Sequence, residues 1–182
     1  MKRLSTILVA LPVLLSAPQL GAAVVTVTAN PLWTDTGIAL GASDVVTISG
    51  ASGSWSWGGP LHGPDGDYQP GLAWDEWITN GYHGQLIGCV GLVDPNPDHS
   101  LIPQNDPSLF AVGTGAVSLS GVSGKLWLGF NDDYASYAVG DNSGSVTVDV
   151  TVIPEPISLV VWSVVAGLSI AVACLRGRRQ AA

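Results

Sequence analysis

The side chains best suited to chemistry in this chain are acidic and amide groups beside its last predicted strand. Asp132 follows the apolar residues 126–130, and Asp141 and Asn142 precede the alternating valines of residues 146–152. We expect these two strands to pair as a hairpin, which would bring the three side chains together. Two carboxylates, an amide oxygen and nearby main-chain carbonyls form a cage suited to Ca2+, which takes about 6–8 oxygens at about 2.3–2.6 Å. The pattern therefore predicts a Ca2+ site.

The same segment also fits a turn that binds no metal. Residues 140–145 read Gly-Asp-Asn-Ser-Gly-Ser. All of these residue types are common in turns, because their side chains bond the local backbone or because glycine tolerates unusual dihedral angles. The spacing of the acids does not match an EF-hand loop. An Asx-rich turn is therefore the alternative to the calcium site.

An enzymatic centre is not indicated. Asp75 and Glu76 could suggest the acid/base pair of a glycosidase. Neighbouring residues on a strand point to opposite faces, however, and no second carboxylate at the required separation can be named. The chain also lacks a Gly-x-Ser-x-Gly nucleophile motif. We therefore predict that the protein is not an enzyme.

Histidines and tryptophans offer weaker signals. The histidines lack a zinc-ligand spacing and fall in predicted loops, so we expect solvated side chains at His62, His83 and His99. Four tryptophans lie close together in the sequence: Trp55, Trp57, Trp74 and Trp77. Aromatic rings can stack on the apolar faces of sugars, but these rings could equally pack the loop against the core.

The elements that must position these residues are predicted to be strands. Apolar residues alternate with polar ones in residues 25–27, 46–48, 117–119, 125–130 and 146–152. Residues 86–90 and 109–112 have the apolar character of more deeply buried strands. Residues 24–153 show no amphipathic helix, and two long loops, residues 58–84 and 94–107, interrupt the strands. The fold class is therefore all-β, a jelly-roll β-sandwich.

The charge of the predicted domain is strongly one-sided. The chain has 182 residues and a net charge of −8, and Lys125 is the only Lys or Arg in residues 24–153. Such a surface repels phosphate backbones, so we expect no nucleic-acid partner. It suits a hard cation, although simple solubility would also explain it. Cys89 is the only cysteine of the domain, so no disulfide is expected, and its apolar neighbours predict a buried thiol.

The N-terminal residues have the features of a secretory signal peptide. Lys2 and Arg3 form a positive start, residues 4–15 are apolar, and Gly21, Ala22 and Ala23 are small residues suited to cleavage. We therefore predict a signal peptide over residues 1–23, followed by an exported domain over residues 24–153.

The C-terminal residues predict a membrane segment. Pro154, Glu155 and Pro156 precede residues 157–175, a run without charge whose length suits a transmembrane helix. Arginines follow this run and hold that end in the cytoplasm: Arg176, Arg178 and Arg179. The arrangement of residues 154–182 resembles the PEP-CTERM sorting signal of bacterial surface proteins. This resemblance implies an exosortase-type processing enzyme as a partner, whereas an ordinary single-pass anchor is the alternative. In either case the protein is first anchored in the inner membrane; after processing it would be on the cell surface or extracellular.

The domain itself resembles the PA-IL-type galactose-binding lectins. The resemblance is carried by Asn131-Asp132, Tyr137 and residues 140–145, followed by the alternating valines. Earlier pieces occur in the same order as in that family, among them residues 35–38, 44–48, 55–58, 63–67 and 84–88. The similarity covers essentially all of residues 24–152.

This second resemblance implies a set of ligands. It implies a jelly roll that holds one Ca2+, and this ion binds two hydroxyls of a galactose-like sugar. By position, the side chains of Asp132, Asp141 and Asn142 would bind the ion, as would the main-chain carbonyls of Trp57 and Ser136. Gln69, Asp132 and Asp141 would bind sugar hydroxyls. The chain departs from the family at Asp141, usually Asn, in two extra residues at positions 138 and 139, and in lacking the His-Pro that grips the sugar.

The expected function is that of a calcium-dependent glycan-binding module, with an extracellular glycan or exopolysaccharide as its partner. The alternative is a structural protein of the extracellular matrix or biofilm whose calcium site is purely structural and which binds no sugar.

Overall fold

The structure is a computed structural model that describes residues 21–68, 75–91, 94–95, 102–134 and 139–154, together with 165, 167 and 168. The chain divides into two units, residues 19–155 and the two termini, residues 1–18 with 156–182. Of the second unit only the helical residues Val165, Gly167 and Leu168 are described. The described residues of the first unit form eight strands: β1 Gly21–Thr28, β2 Trp33–Leu40, β3 Val45–Trp57, β4 Leu86–Gly91, β5 Leu109–Ala111, β6 Val117–Ser120, β7 Gly124–Phe130 and β8 Asn142–Ile153.

The strands form two antiparallel sheets of four strands each. One sheet has the order β1-β8-β3-β6, and the other has the order β2-β7-β4-β5. These sheets confirm the all-β, two-layer prediction. The predicted hairpin of the last two strands is wrong, because β7 and β8 belong to different sheets. Each already has a neighbour on both sides, so neither offers a free edge to the other.

The core lies between the inward faces of the two sheets. Along β8 the residues Val146, Val148 and Val150 are buried while Thr147 and Asp149 are exposed, as the alternation predicts. Large aromatic residues close the core: the rings of Trp55 and Phe130 meet edge to face at 4.7 Å between centroids, and those of Trp33 and Trp77 at 5.2 Å. Trp55 and Trp77 are therefore packing residues.

Two strands differ from their predicted burial. Residues 126–130 of β7 are all buried, because Trp33 and the main chain of Leu32 cover the outer side at Gly129. In β5, by contrast, Leu109 and Phe110 are only half-buried and Ala111 is exposed, because this short strand is the edge of its sheet. Cys89 is buried, as its apolar neighbours predict.

The predicted terminal segments lie largely outside the described residues. This is true of residues 1–20, of the sorting-motif residues Glu155 and Pro156, and of the basic tail. β1 begins at Gly21, inside the segment predicted for signal cleavage. Among the described residues no helix has the length and apolar character needed to cross a bilayer. The predicted span, residues 157–175, contributes only Val165, Gly167 and Leu168 to them.

Candidate metal centre

The end of β7 turns two successive carboxylates inward. Asp132 donates its backbone N–H to the Phe130 carbonyl at 2.9 Å, and Asp133 adopts a left-handed backbone with φ of 57°. This conformation is uncommon for a residue with a side chain, and it reverses the chain directly after the strand. As a result both aspartates are buried, whereas successive residues of a continuing strand would face opposite sides.

Asn131 fixes the neighbouring loop against the end of β7. Its Oδ1 accepts the N–H of Ile78 at 2.9 Å, and its Nδ2 donates to the carbonyls of Ile78 and Tyr82 at 3.2 and 3.0 Å. Its backbone bonds Gly84 and Gln85, each at 3.0 Å. The main chain of residues 78–85 is thereby held beside Asp132. Near the start of the same loop, the Asp75 carbonyl accepts the N–H of Tyr134 at 2.8 Å.

Three carboxylates converge at this place. Asp75, Asp132 and Asp133 each offer one oxygen, and the three oxygens lie within 4.8 Å of one another. The exposed fractions of these residues are 8%, 4% and 3%. Two oxygens bound to one Ca2+ can be at most about 5.2 Å apart, twice the longest usual bond length. The three carboxylates therefore have the spacing and chemistry of shared ligands of a hard cation.

Asn142 completes the cluster from the opposite sheet. Its Nδ2 donates to Asp133 Oδ2 at 2.6 Å, and its amide favours the charged form of Asp132, which lowers the pKa of that carboxyl. Its Oδ1 is buried and has no hydrogen-bond partner within the described residues. A buried polar oxygen without a partner is costly, and a cation would satisfy it. The donor set thus fits calcium: carboxylates, an amide oxygen and no Lys or Arg among the cluster's described ion pairs.

His83 is buried next to the carboxylates and contacts Asp132 and Glu76. Its Nε2 is 3.1 Å from Asp132 Oδ1, so an N–H at this position donates to the carboxylate, and its Nδ1 is 3.7 Å from Glu76 Oε1. The ring also meets Trp57 edge to face, with 4.8 Å between centroids. The prediction of a solvated His83 is wrong, because Asn131 draws its loop into the protein and leaves the side chain 3% exposed. Such a contact orients a ligating carboxylate.

Burial sets the electrostatics of the cluster. It raises the pKa of Asp132 to about 7, and the adjacent charge of Asp133 adds to this shift. Burial, followed by the charge of Asp75, also raises the pKa of Glu76 to about 7. The pKa of His83 is lowered, because burial disfavours the imidazolium more than the nearby acids favour it. The cluster therefore has a high affinity for positive charge, which protons or a metal ion can supply.

The other predicted ligands have different positions. Asp141 is exposed, and its carboxylate lies over Gly58, where an added Cβ would be 2.8 Å from Asp141 Oδ2. Trp57 pairs with Asn142 in the β3–β8 ladder, which places its main chain beside the cluster. Ser136 and Gln69 lie outside the described residues. The structure thus brings together Asp132 and Asn142 and adds residues that the sequence did not indicate as ligands.

Those added residues are Asp75 and Asp133, with His83 and Glu76 around them. One signal was present in the sequence: Asp75 and Glu76 lie between Trp74 and Trp77. A pair of acids between two tryptophans is unusual for a solvated loop and suggests buried acids. Both Asp75 and Glu76 are in fact buried.

No protein-family model matches the chain, and no curated protein matches it. Among solved structures, the chain is similar to the EclA N-terminal domain, a PllA-like lectin. The two are 22% identical with a TM-score of 0.42, and the match covers 72% of this chain and 95% of the lectin domain. At this TM-score the likeness has no weight in assigning a function, which depends on the geometry of the site.

Proposed function

We propose that residues 24–153 form a calcium-dependent carbohydrate-binding domain of an exported bacterial surface protein. The observation that supports this proposal best is the group of three buried carboxylates, Asp75, Asp132 and Asp133, with the unsatisfied Oδ1 of Asn142 beside them. Carboxylates gathered at one place are suited to share a divalent cation. Because Asp132 has a pKa of about 7, proton loss at neutral pH leaves a site that a divalent ion can fill.

The residues present leave room for a ligand at the ion. With one oxygen from each group, the three carboxylates and the Asn142 amide supply four of the about 6–8 oxygens that Ca2+ takes, which leaves positions for other groups. When bound, Ca2+ can coordinate a pair of neighbouring sugar hydroxyls at such positions. Asp132 would hold the ion and accept hydrogen bonds from these hydroxyls, while His83 keeps its carboxylate in place. Asp141, Trp57, Ser136 and Gln69 remain proposed contributors.

The topology supports the jelly-roll part of this proposal. The fold has two four-stranded antiparallel sheets, and the chain crosses between them from β1 to β2 and back to β3. This arrangement is expected of a jelly roll. Export by the N-terminal segment, anchoring by residues 157–175 and processing at Pro154, Glu155 and Pro156 belong to the same proposal. They rest on the sequence patterns of the two ends.

The test is calorimetric titration of the full-length chain, first with Ca2+ and then with methyl galactoside. We expect Ca2+ at about a hundred times its Kd to stabilise the protein by about 2.7 kcal/mol. Asp132→Asn should remove both this stabilisation and the calcium-dependent part of the sugar binding. Asp149→Asn is the control, because Asp149 is an exposed carboxylate on the outer face of β8. Calcium binding that is unchanged in Asp132→Asn would show that the ion does not bind at the cluster.

A structural calcium site is the second candidate, and the burial of the cluster favours it. With exposed fractions of 8% or less, the three carboxylates give a sugar little direct access to an ion between them. In that case Ca2+ raises the melting temperature and Asp132→Asn removes the effect, but no sugar binding depends on calcium. The same titrations therefore distinguish the two functions.

A further inference from the structure

An open cleft of about 440 Å3 lies beside the loop that follows Asp75. Its volume is within the range of about 300–1,000 Å3 that is usual for small-molecule sites. None of its lining residues belongs to the acidic cluster. The lining residues are Ile78, Asn80, Gly81, Tyr82, Gln85 and Ala111.

The cleft has a fixed floor. A Cβ at Gly81 would lie 3.0 Å from Asn131 Nδ2 and 2.9 Å from Gln85 Oε1, so the bare glycine backbone rests directly on these two side chains. Gln85 Oε1 in turn accepts the N–H of Tyr82 at 3.2 Å. With the Asn131 bonds to Ile78 and Tyr82, these contacts hold the loop in one conformation. A ligand would therefore meet a surface that is already formed, which lowers the cost of binding.

The walls combine an aromatic ring with amides. Tyr82 is 49% exposed, and Asn80 is also exposed. Among the described residues, the Asn80 amide, the Gln85 Nε2 and the Tyr82 hydroxyl have no hydrogen-bond partner. Ile78 and Ala111 supply apolar surface on either side. An exposed ring with nearby amide donors and acceptors matches the surface of a pyranose, which has apolar C–H faces and a rim of hydroxyls.

We propose that this cleft is a second carbohydrate subsite, which takes one pyranose ring stacked on Tyr82 and hydrogen-bonded by Asn80 and Gln85. It goes beyond the proposed function because no residue of the acidic cluster touches the sugar there. Binding in the cleft is therefore independent of calcium, in contrast to binding at the metal centre. The two subsites share the loop of residues 75–85.

The experiment titrates the full-length chain with methyl galactoside and methyl glucoside in EDTA, which removes divalent ions. We expect Tyr82→Ala to weaken binding by about tenfold and Tyr82→Phe to keep it within about twofold. Ala111→Trp should block the cleft, because Ala111 is exposed and lines the cleft. Tyr68→Ala is the matched control, because Tyr68 is an exposed ring beside Tyr82 but does not line the cleft.

The outcomes separate this proposal from the proposed function. Sugar binding in EDTA that Tyr82→Ala weakens and Ala111→Trp removes, at an unchanged melting temperature, supports the cleft. If wild type binds neither sugar in EDTA, or if both variants bind like wild type, the cleft proposal is wrong. Calcium-dependent binding that Asp132→Asn removes would still stand in that case. If Tyr82→Ala alone lowers the melting temperature, its weaker binding could come from a damaged fold. The sugar binding of Ala111→Trp then decides whether the cleft is the site.

Discussion

At the scale of single residues, the pKa values of Asp132 and Glu76 predict how stability depends on pH. Both values, about 7, lie above the ordinary 3.8 and 4.5, so the folded state binds these protons more tightly than the unfolded state. Their contribution to stability is present at acidic pH and is lost as pH rises through about 7. The lowered pKa of His83 acts in the opposite direction, but only below its ordinary value of 6.5.

Above pH 6.5 the two carboxyl groups therefore dominate the pH dependence of stability. In EDTA we expect the melting temperature of the full-length chain to fall between pH 6.5 and about pH 8, as measured by circular dichroism, because the carboxylates lose their protons there. Added Ca2+ should reverse the fall, since the ion replaces the protons. Asp132→Asn should make the fall smaller, because only Glu76 then titrates in this range, and Asp149→Asn should leave it unchanged. A melting temperature that rises over this window would contradict the electrostatics described above.

The sequence identified part of this cluster at the level of residues. Asp132 and Asn142 were predicted from their residue types beside two strands, and the structure brings them together. Asp133 was not predicted as a ligand, because a strand pattern places successive residues on opposite faces and only its left-handed backbone turns it inward. Asp75 and His83 come from a loop whose path depends on hydrogen bonds to Asn131, and no local pattern shows such a tertiary contact.

At the scale of elements, Asn131 is predicted to hold the loop of residues 78–85 in place. Its side chain makes three hydrogen bonds to backbone groups and is fully buried. At about 1 kcal/mol for each bond, Asn131→Ala should cost about 3 kcal/mol in urea unfolding. Asn80→Ala is the control, because Asn80 is exposed on the same loop. Equal stability of the two variants would mean that the loop does not depend on Asn131.

Gly84 tests how closely this loop packs on β3. Its φ is 69°, and an added Cβ would overlap the Trp57 ring and lie 3.3 Å from Phe130. Gly121 has a similar φ of 74° with open space around it. Thermal unfolding of Gly84→Ala and Gly121→Ala therefore separates the cost of the left-handed backbone from the cost of the steric overlap. We expect about 1 kcal/mol for Gly121→Ala from its backbone and about 2 kcal/mol more for Gly84→Ala from the overlap. Equal losses would show that the Trp57 ring moves aside freely.

The elements were more predictable than their pairing. Alternating or continuously apolar residues indicated every described strand except β2, whose pattern is interrupted by a bulge between Asp35 and Ala39 and by Gly37 in a left-handed conformation. The hairpin of β7 and β8 was wrong because adjacency in sequence says nothing about which sheet a strand joins. Asp132 and Asn142 nevertheless lie close together, because the end of β7 in one sheet and the start of β8 in the other are at the same end of the sandwich.

At the scale of the whole molecule, the proposed export and anchoring predict a change of location. A chain that ends at Ile153 retains all eight strands and lacks the apolar and basic residues of the tail. Expressed in a bacterium with an exosortase-type enzyme, it should be found in the soluble exported fraction, while the full-length precursor should be found with membranes. Immunoblots of the fractions measure this. A full-length chain that never fractionates with membranes would contradict the anchoring.

The path of β8 has a mechanical consequence. β8 is an inner strand, paired with β1 on one side and β3 on the other, and it runs up to Ile153. Any tether attached beyond this residue pulls along β8, so its two flanking ladders are loaded in shear and their hydrogen bonds must break together. A force that peeled the edge strand β6 away from β3 would instead break the hydrogen bonds of that ladder one at a time. The fold would thus resist drag transmitted through the proposed C-terminal anchor.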